Sequence, residues 1–160
     1  MSLYAVEKLM AEARRLAAEY RRATGKTLPI SGEIAINDAI RLLHLQPAAD
    51  VAGGYDAVRE LPDGQVQRIQ IKARVVFDEI KSSHRVGELK LERDWEVAVL
   101  VLMDQNYEPF ALFEASREAI EKALEDARPN KRGSVTVPRF QRIGTLVWSR
   151  EGTGLAQPAA

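Results

Sequence analysis

The sequence has no cysteine and only two histidines. Without a thiol there is no disulfide framework, no thiolate nucleophile and no Cys-ligated zinc, and His44 and His84 alone do not make a multi-histidine metal centre. An excess of charge of either sign is missing as well: 23 Lys and Arg meet 23 Asp and Glu. That balance argues against a protein coated in positive charge that holds polyanions by global attraction, and it leaves room for a local basic face. Long apolar runs are also missing. The longest, Val97 to Met103, closes at Asp104, well short of the roughly 20 residues that span a bilayer. The N-terminal segment carries Glu7 and no uninterrupted apolar stretch, so no signal peptide and no membrane contact are expected, and the expected location is cytoplasmic. What is present is a chain of 160 residues, 46% hydrophobic and 29% charged. This suits one globular domain over residues 1–150, followed by a disordered tail at 151–160.

Apolar periodicity sets the elements. Leu3, Val6, Met10, Ala13, Ala17 and Tyr20 recur at three and four, which predicts a helix capped by Ser2 and ended by Gly25, with Glu7, Arg14, Arg15, Arg21 and Arg22 on its outer face. After Pro29 a second helix is expected from Ser31 or Gly32 to about Leu45. Ile36, Ala39, Ile40 and Leu43 form its apolar face, and Glu33, Asn37, Arg41 and His44 form one polar stripe. Tyr55–Arg59 and Val66–Phe77 read as strands joined by the Pro62-Asp63-Gly64 turn. In the second of these, Gln67, Ile69, Ile71, Ala73 and Val75 share one face, and Arg68, Gln70, Lys72 and Arg74 share the other, which is expected to be mostly polar and basic. A charged loop over 78–94 leads to a buried strand, Trp95–Met103, and then a short strand, Phe110–Phe113. Ser116 caps a helix over Arg117–Ala127, Val135 and Val137 suggest an edge strand, Pro138 opens a one-turn helix, and Leu146–Trp148 packs back. The fold class is α+β (mixed α/β): two helices, a meander of three or four antiparallel strands, a helix and a last short strand.

One constellation in this order carries chemistry. Glu33 lies in a helix first turn, Asp56 on the first strand, and Gln70 and Lys72 on one face of the neighbouring strand across the hairpin. A carboxylate and an amide oxygen on adjacent strands suit a hard divalent cation such as Mg²⁺, and a lysine two residues on reaches the same space to orient a water or meet developing phosphoryl charge.

At these residues the sequence resembles the PD-(D/E)XK nuclease superfamily, whose core carries a helix glutamate, a strand aspartate and an (Asp/Glu/Gln)-x-Lys motif. The matching residues are Glu33, Asp56 and Gln70-Ile71-Lys72. The wider phrasing, Gly53-Gly54-Tyr55-Asp56-Ala57-Val58 and Gln70-Ile71-Lys72-Ala73-Arg74, is similar to small bacterial proteins that carry this core alone. The resemblance implies a restriction-endonuclease-like αβββαβ core with an additional N-terminal helix. It also implies a Mg²⁺ or Mn²⁺ ion held by Asp56, Gln70, the Ile71 carbonyl and Glu33, with Lys72 on the attacking water or the scissile phosphate. Tyr55 stands where the motif has proline. Gln70 stands where an acid is usual, which removes one negative charge from the site and weakens its hold on the metal.

Each residue also has a plainer use. Asp56 beside Gly53-Gly54 suits a turn, Glu33 suits any helix first turn, and Arg68, Gln70, Lys72 and Arg74 suit a solvated strand face; it is their conjunction that favours chemistry. Charge placement adds to it. No acid occurs between Arg128 and Arg150 or between Gly64 and Phe77, so Arg68, Arg74, Lys131, Arg132 and Arg139, with Arg85 of the 78–94 loop, are the expected nucleic-acid contacts, with DNA ahead of RNA. The leading expectation is a metal-dependent nuclease. A catalytically inactive nuclease-fold module binding nucleic acid or protein, and a subunit of a homodimer joined through its first helix, fit the same composition.

Overall fold

The computed structural model of the chain describes residues 2–49, 53–126 and 134–152. Two helices open it, α1 (Leu3–Thr24) and α2 (Ser31–Leu43). The Ser2 hydroxyl accepts the Ala5 N–H at 3.2 Å, and Gly25, at φ 75°, ends α1 in the left-handed region. His44 ends α2 in the same way at φ 56°.

Six strands follow in one sheet, in the order β1 (Gln46–Pro47), β2 (Ala57–Glu60), β3 (Val66–Val75), β4 (Val97–Met103), β5 (Pro109–Ser116) and β6 (Thr145–Ser149). The β2–β3 hairpin turns at Gly64, where φ is 88°. Helices α3 (Arg117–Asp126) and α4 (Val137–Ile143) lie between β5 and β6, capped by the hydroxyls of Ser116 and Thr136.

The architecture is mixed α+β, and it corrects the expected meander at one junction: β3 and β4 are parallel, with Ile69 opposite Val97 and Val75 opposite Met103. The physical reason is the length of the link. A tight turn can only reverse a strand, whereas residues 76–96 are long enough to return the chain to the start of β3 before β4 begins. Those residues hold no helix. They cover the sheet by inserting Val86 and Leu89, and they are tied down by the Val86 N–H to Val135 O bond (2.9 Å), the Val137 N–H to His84 O bond (2.8 Å) and the Trp95 indole N–H to Lys90 O bond (2.7 Å). The edge strand expected at Val135 and Val137 reduces to a single bridge between Arg85 and Thr136, because Val137 already begins α4.

The sheet has a core on each face. Ala17, Ala18, Ile34, Ala35 and Ala39 from α1 and α2 pack against Ile69, Ile71, Val97, Val99 and Val101. On the other face Val86, Leu89, Trp95, Leu100, Leu102, Ile120 and Phe140 pack together. All seven residues of β4 are buried, as its uninterrupted apolar run requires. The even-numbered face of β3 is covered in its middle: Gln70 is buried with only 4% exposed, Arg68, Lys72 and Arg74 are partly buried, and Val66 is exposed.

Arg14 corrects the reading of α1. It is buried, not outward-facing, and it meets Asp38 of α2 through two hydrogen bonds of 2.9 Å. The Ala127 end of the third helix, Lys131 and Arg132, and the tail beyond Gly152 lie outside the described residues.

Candidate functional site

Strand β2 begins at Ala57, opposite Ile69, so beyond Ile69 the β2 side of β3 has no partner strand among the described residues. Asp56 sits at this step. Its N–H still bonds the Ile69 carbonyl at 2.8 Å, and its carboxylate Oδ2 then accepts the Ile71 N–H, also at 2.8 Å. A side chain thus stands in for the next rung of the ladder. In an extended strand the N–H and C=O of one residue point to the same edge, which sets the Ile71 carbonyl beside Asp56. Among the described residues no hydrogen bond reaches the other carboxylate oxygen, Oδ1.

Gln70 stands on the neighbouring position. Its amide donates to the Gly54 carbonyl at 2.9 Å, which ties the Gly53–Gly54 loop to β3. The amide oxygen, Oε1, is buried and has no hydrogen-bond partner among the described residues. An orphaned acceptor of this kind costs roughly 1–3 kcal/mol. Gly54 makes the approach possible: its φ is 88°, and a Cβ there would lie 2.5 Å from the Arg93 side chain.

Lys72 follows on the same face as Gln70, half-buried, its stem running close to Gly87. Burial pushes its pKa down, Asp56 opposes that shift, and Lys90 adds to it. Among the described residues Lys72 has no ion pair. Glu88 and Lys90, which act on it through space, escaped the sequence reading, since their loop shows no pattern aiming them at β3.

The structure thus joins Asp56 to Ile71 by a hydrogen bond and sets Lys72 within reach of the Asp56 charge, while the Gln70 side chain binds Gly54. Glu33 is exposed in the first turn of α2, and among the described residues no hydrogen bond or ion pair joins it to the others. One helical turn on, Asn37 has a buried amide nitrogen without a partner, which its place in the polar stripe did not single out. The expected nucleic-acid contacts divide. Arg68 is bound to Glu96 through its backbone N–H (2.7 Å) and its guanidinium, and that pairing holds the Glu96 carboxyl below its ordinary range. Arg139 pairs with Asp126 at 3.7 Å, and Arg85 donates to the Ser134 hydroxyl and carbonyl at 3.0 and 2.8 Å. Arg74 has no ion pair among the described residues and lines a cleft with His84.

Among the described residues no cluster of three or more His, Asp or Glu side chains is built to hold a metal. The oxygens carried by these neighbouring residues are of another kind: the Asp56 carboxylate, the buried Gln70 amide oxygen and the Ile71 backbone carbonyl. A hard cation that keeps several of its own waters fits such a set. No protein-family model matches the chain, and no curated protein matches it.

Proposed function

We propose that this protein is a Mg²⁺- or Mn²⁺-dependent phosphodiesterase of nuclease type, built on a restriction-endonuclease-like core and acting on a nucleic-acid backbone, DNA ahead of RNA. The observation that carries this reading is the buried, unpartnered Oε1 of Gln70 beside the Asp56–Ile71 hydrogen bond. Folding leaves this acceptor without a donor among the described residues, next in sequence to the Ile71 N–H that Asp56 binds. A cation relieves that cost in a way no neighbouring side chain does.

Asp56, Gln70 Oε1 and the Ile71 carbonyl would hold the ion, with Glu33 reaching it through a water. When bound, the ion supplies Lewis-acid polarisation of a phosphoryl oxygen. The protein's own work is positional. Asp56 spans the gap left by β2, Gln70 anchors the glycine loop, and Lys72 holds a cation where charge develops on the phosphate.

Purified protein incubated with single- and double-stranded DNA and RNA in Mg²⁺ or Mn²⁺ tests this. Wild type is expected to cut at least one substrate, EDTA to stop it, and Lys72→Ala and Asp56→Ala to lower the rate by about a hundredfold or more. No cleavage by wild type, or equal cleavage by Lys72→Ala, contradicts the proposal. Salt-dependent binding without cleavage, persisting in EDTA and in Asp56→Ala, would mark a binding module instead.

A further inference from the structure

The bare edge of β3 continues past Lys72 into a cleft of about 350 Å³ between the end of that strand and the loop joining α1 to α2. Its polar lining comes from three separate parts of the chain: Thr27 and Ser31 from the helix connection, Arg74 from β3, and His84 from the segment that covers the sheet. No carboxylate lines it. Arg74 has no ion pair among the described residues, nor has the exposed Arg142, whereas Arg68, Arg139 and Arg150 of the acid-poor stretches have acidic partners; of the two unpaired arginines, Arg74 lines the cleft. A guanidinium that has found no carboxylate in a charge-balanced protein has its fork free for an anion.

His84 is set to assist. Its Nδ1 accepts the Lys81 backbone N–H at 3.3 Å, which leaves the proton on Nε2 and makes that atom the donor. Burial and the charges of Arg74 and Lys81 keep the ring neutral to lower pH than usual, so it donates without competing for a proton. The first turn of α2 begins at Ser31, which lines the cleft, behind Ile30, which offers no side-chain cap.

We propose that this cleft binds the backbone phosphate adjacent to the one held at Lys72, with Arg74 as its principal ligand and His84 Nε2 and Ser31 as neutral donors. Two residues apart on one strand, Lys72 and Arg74 start about 7 Å from each other, a spacing comparable to that of consecutive phosphates on one nucleic-acid strand. The identity of the ligand rests on the nuclease reading. The anion site itself does not, so the two are tested apart.

Amide and imidazole NMR signals of the full chain are followed in EDTA, where no hydrolysis takes place, during titration with an unphosphorylated tetradeoxynucleotide and, separately, with inorganic phosphate. The tetranucleotide is expected to shift Ser31, Arg74 and His84. Arg74→Gln should weaken its binding at least about tenfold, through loss of a charge-assisted pair. His84→Ala should weaken it less, and His84→Gln, which keeps a donor near the Nε2 position, should restore most of that loss. If Arg74→Gln fails to fold, Arg74→Lys serves in its place and should lose part of the affinity, because it keeps the charge and loses the fork. Cleft signals that do not move, or arginine variants that bind like wild type, would overturn the anion site itself; inorganic phosphate binding as tightly as the tetranucleotide would overturn its assignment to a nucleic-acid backbone.

Discussion

Gly54 and Lys72 show how much of the site depends on single atoms. At Gly54 a positive φ of 88° coincides with a contact that leaves no space for a methyl group against Arg93. Gly54→Ala is therefore expected to destabilise the fold by roughly 2 kcal/mol or more, read from urea unfolding, and to release the carbonyl that Gln70 holds. The Lys72 stem runs close to Gly87: a Cβ there would lie 3.6 Å from its Cδ. A guanidinium there is wider and differently shaped, so Lys72→Arg should keep the charge yet lower turnover on the order of a hundredfold in single-turnover cleavage. The sequence shows Asp56 and Gln70-Ile71-Lys72 together because alternation along a strand and a short hairpin are local rules. It does not show that Gln70 Oε1 is orphaned or that Glu33 stays in solvent, because burial depends on the segment that folds over β3 and on how α2 is rotated.

Elements pair through contacts that periodicity does not reveal. Arg14 falls outside the apolar stripe of α1, yet it is buried because Asp38, on a different helix, lies opposite it with no exposed surface. The Arg14 guanidinium also donates to the Tyr107 carbonyl at 2.6 Å, so one side chain joins α1, α2 and the β4–β5 turn. Asp38→Ala removes both 2.9 Å bonds to the buried guanidinium and leaves it only Glu108, at 3.4 Å, as an acidic partner in contact, so it should cost about 3 kcal/mol in denaturant unfolding. Replacing Arg14 and Asp38 together by methionine and leucine should recover most of that loss. The same limit explains β3 and β4. The apolar run of β4 identifies a central strand, but its direction is decided by residues 76–96, which pack by scattered anchors, Val86 and Leu89, and by bonds to residues near Thr136. Both helix caps and the hairpin turn were readable, since each is written within a few residues.

Over the whole molecule the balance of 23 bases and 23 acids is resolved by position. Arg68, Arg139 and Arg150 are paired with Glu96, Asp126 and Asp104, and Arg59 with Glu114, which leaves Lys72 and Arg74 as adjacent cations on β3 without acidic partners among the described residues. The paired carboxylates also set the acid limit of stability. Burial pushes the Asp104 carboxyl up, but hydrogen bonds from Arg150 and from the Asn106 and Glu108 N–H groups outweigh it and hold the pKa below its ordinary value. Glu96 is held low in the same direction by Arg68. A lowered folded-state pKa means the unfolded chain binds more protons. This stabilisation is therefore complete above the ordinary carboxylate range, near pH 4, and is lost as pH falls through the folded values. Thermal unfolding measured from pH 6 downward should show a shallower acid limb in Asp104→Asn than in wild type. No helix among the described residues is long and apolar enough to cross a membrane. The most direct test is a Mn²⁺ titration of the full chain followed by paramagnetic broadening of amide signals. Saturable broadening that begins at Asp56 and Ile71 and disappears in Asp56→Asn is the predicted result; broadening that starts elsewhere, or that Asp56→Asn leaves unchanged, contradicts a cation site at Gln70 Oε1.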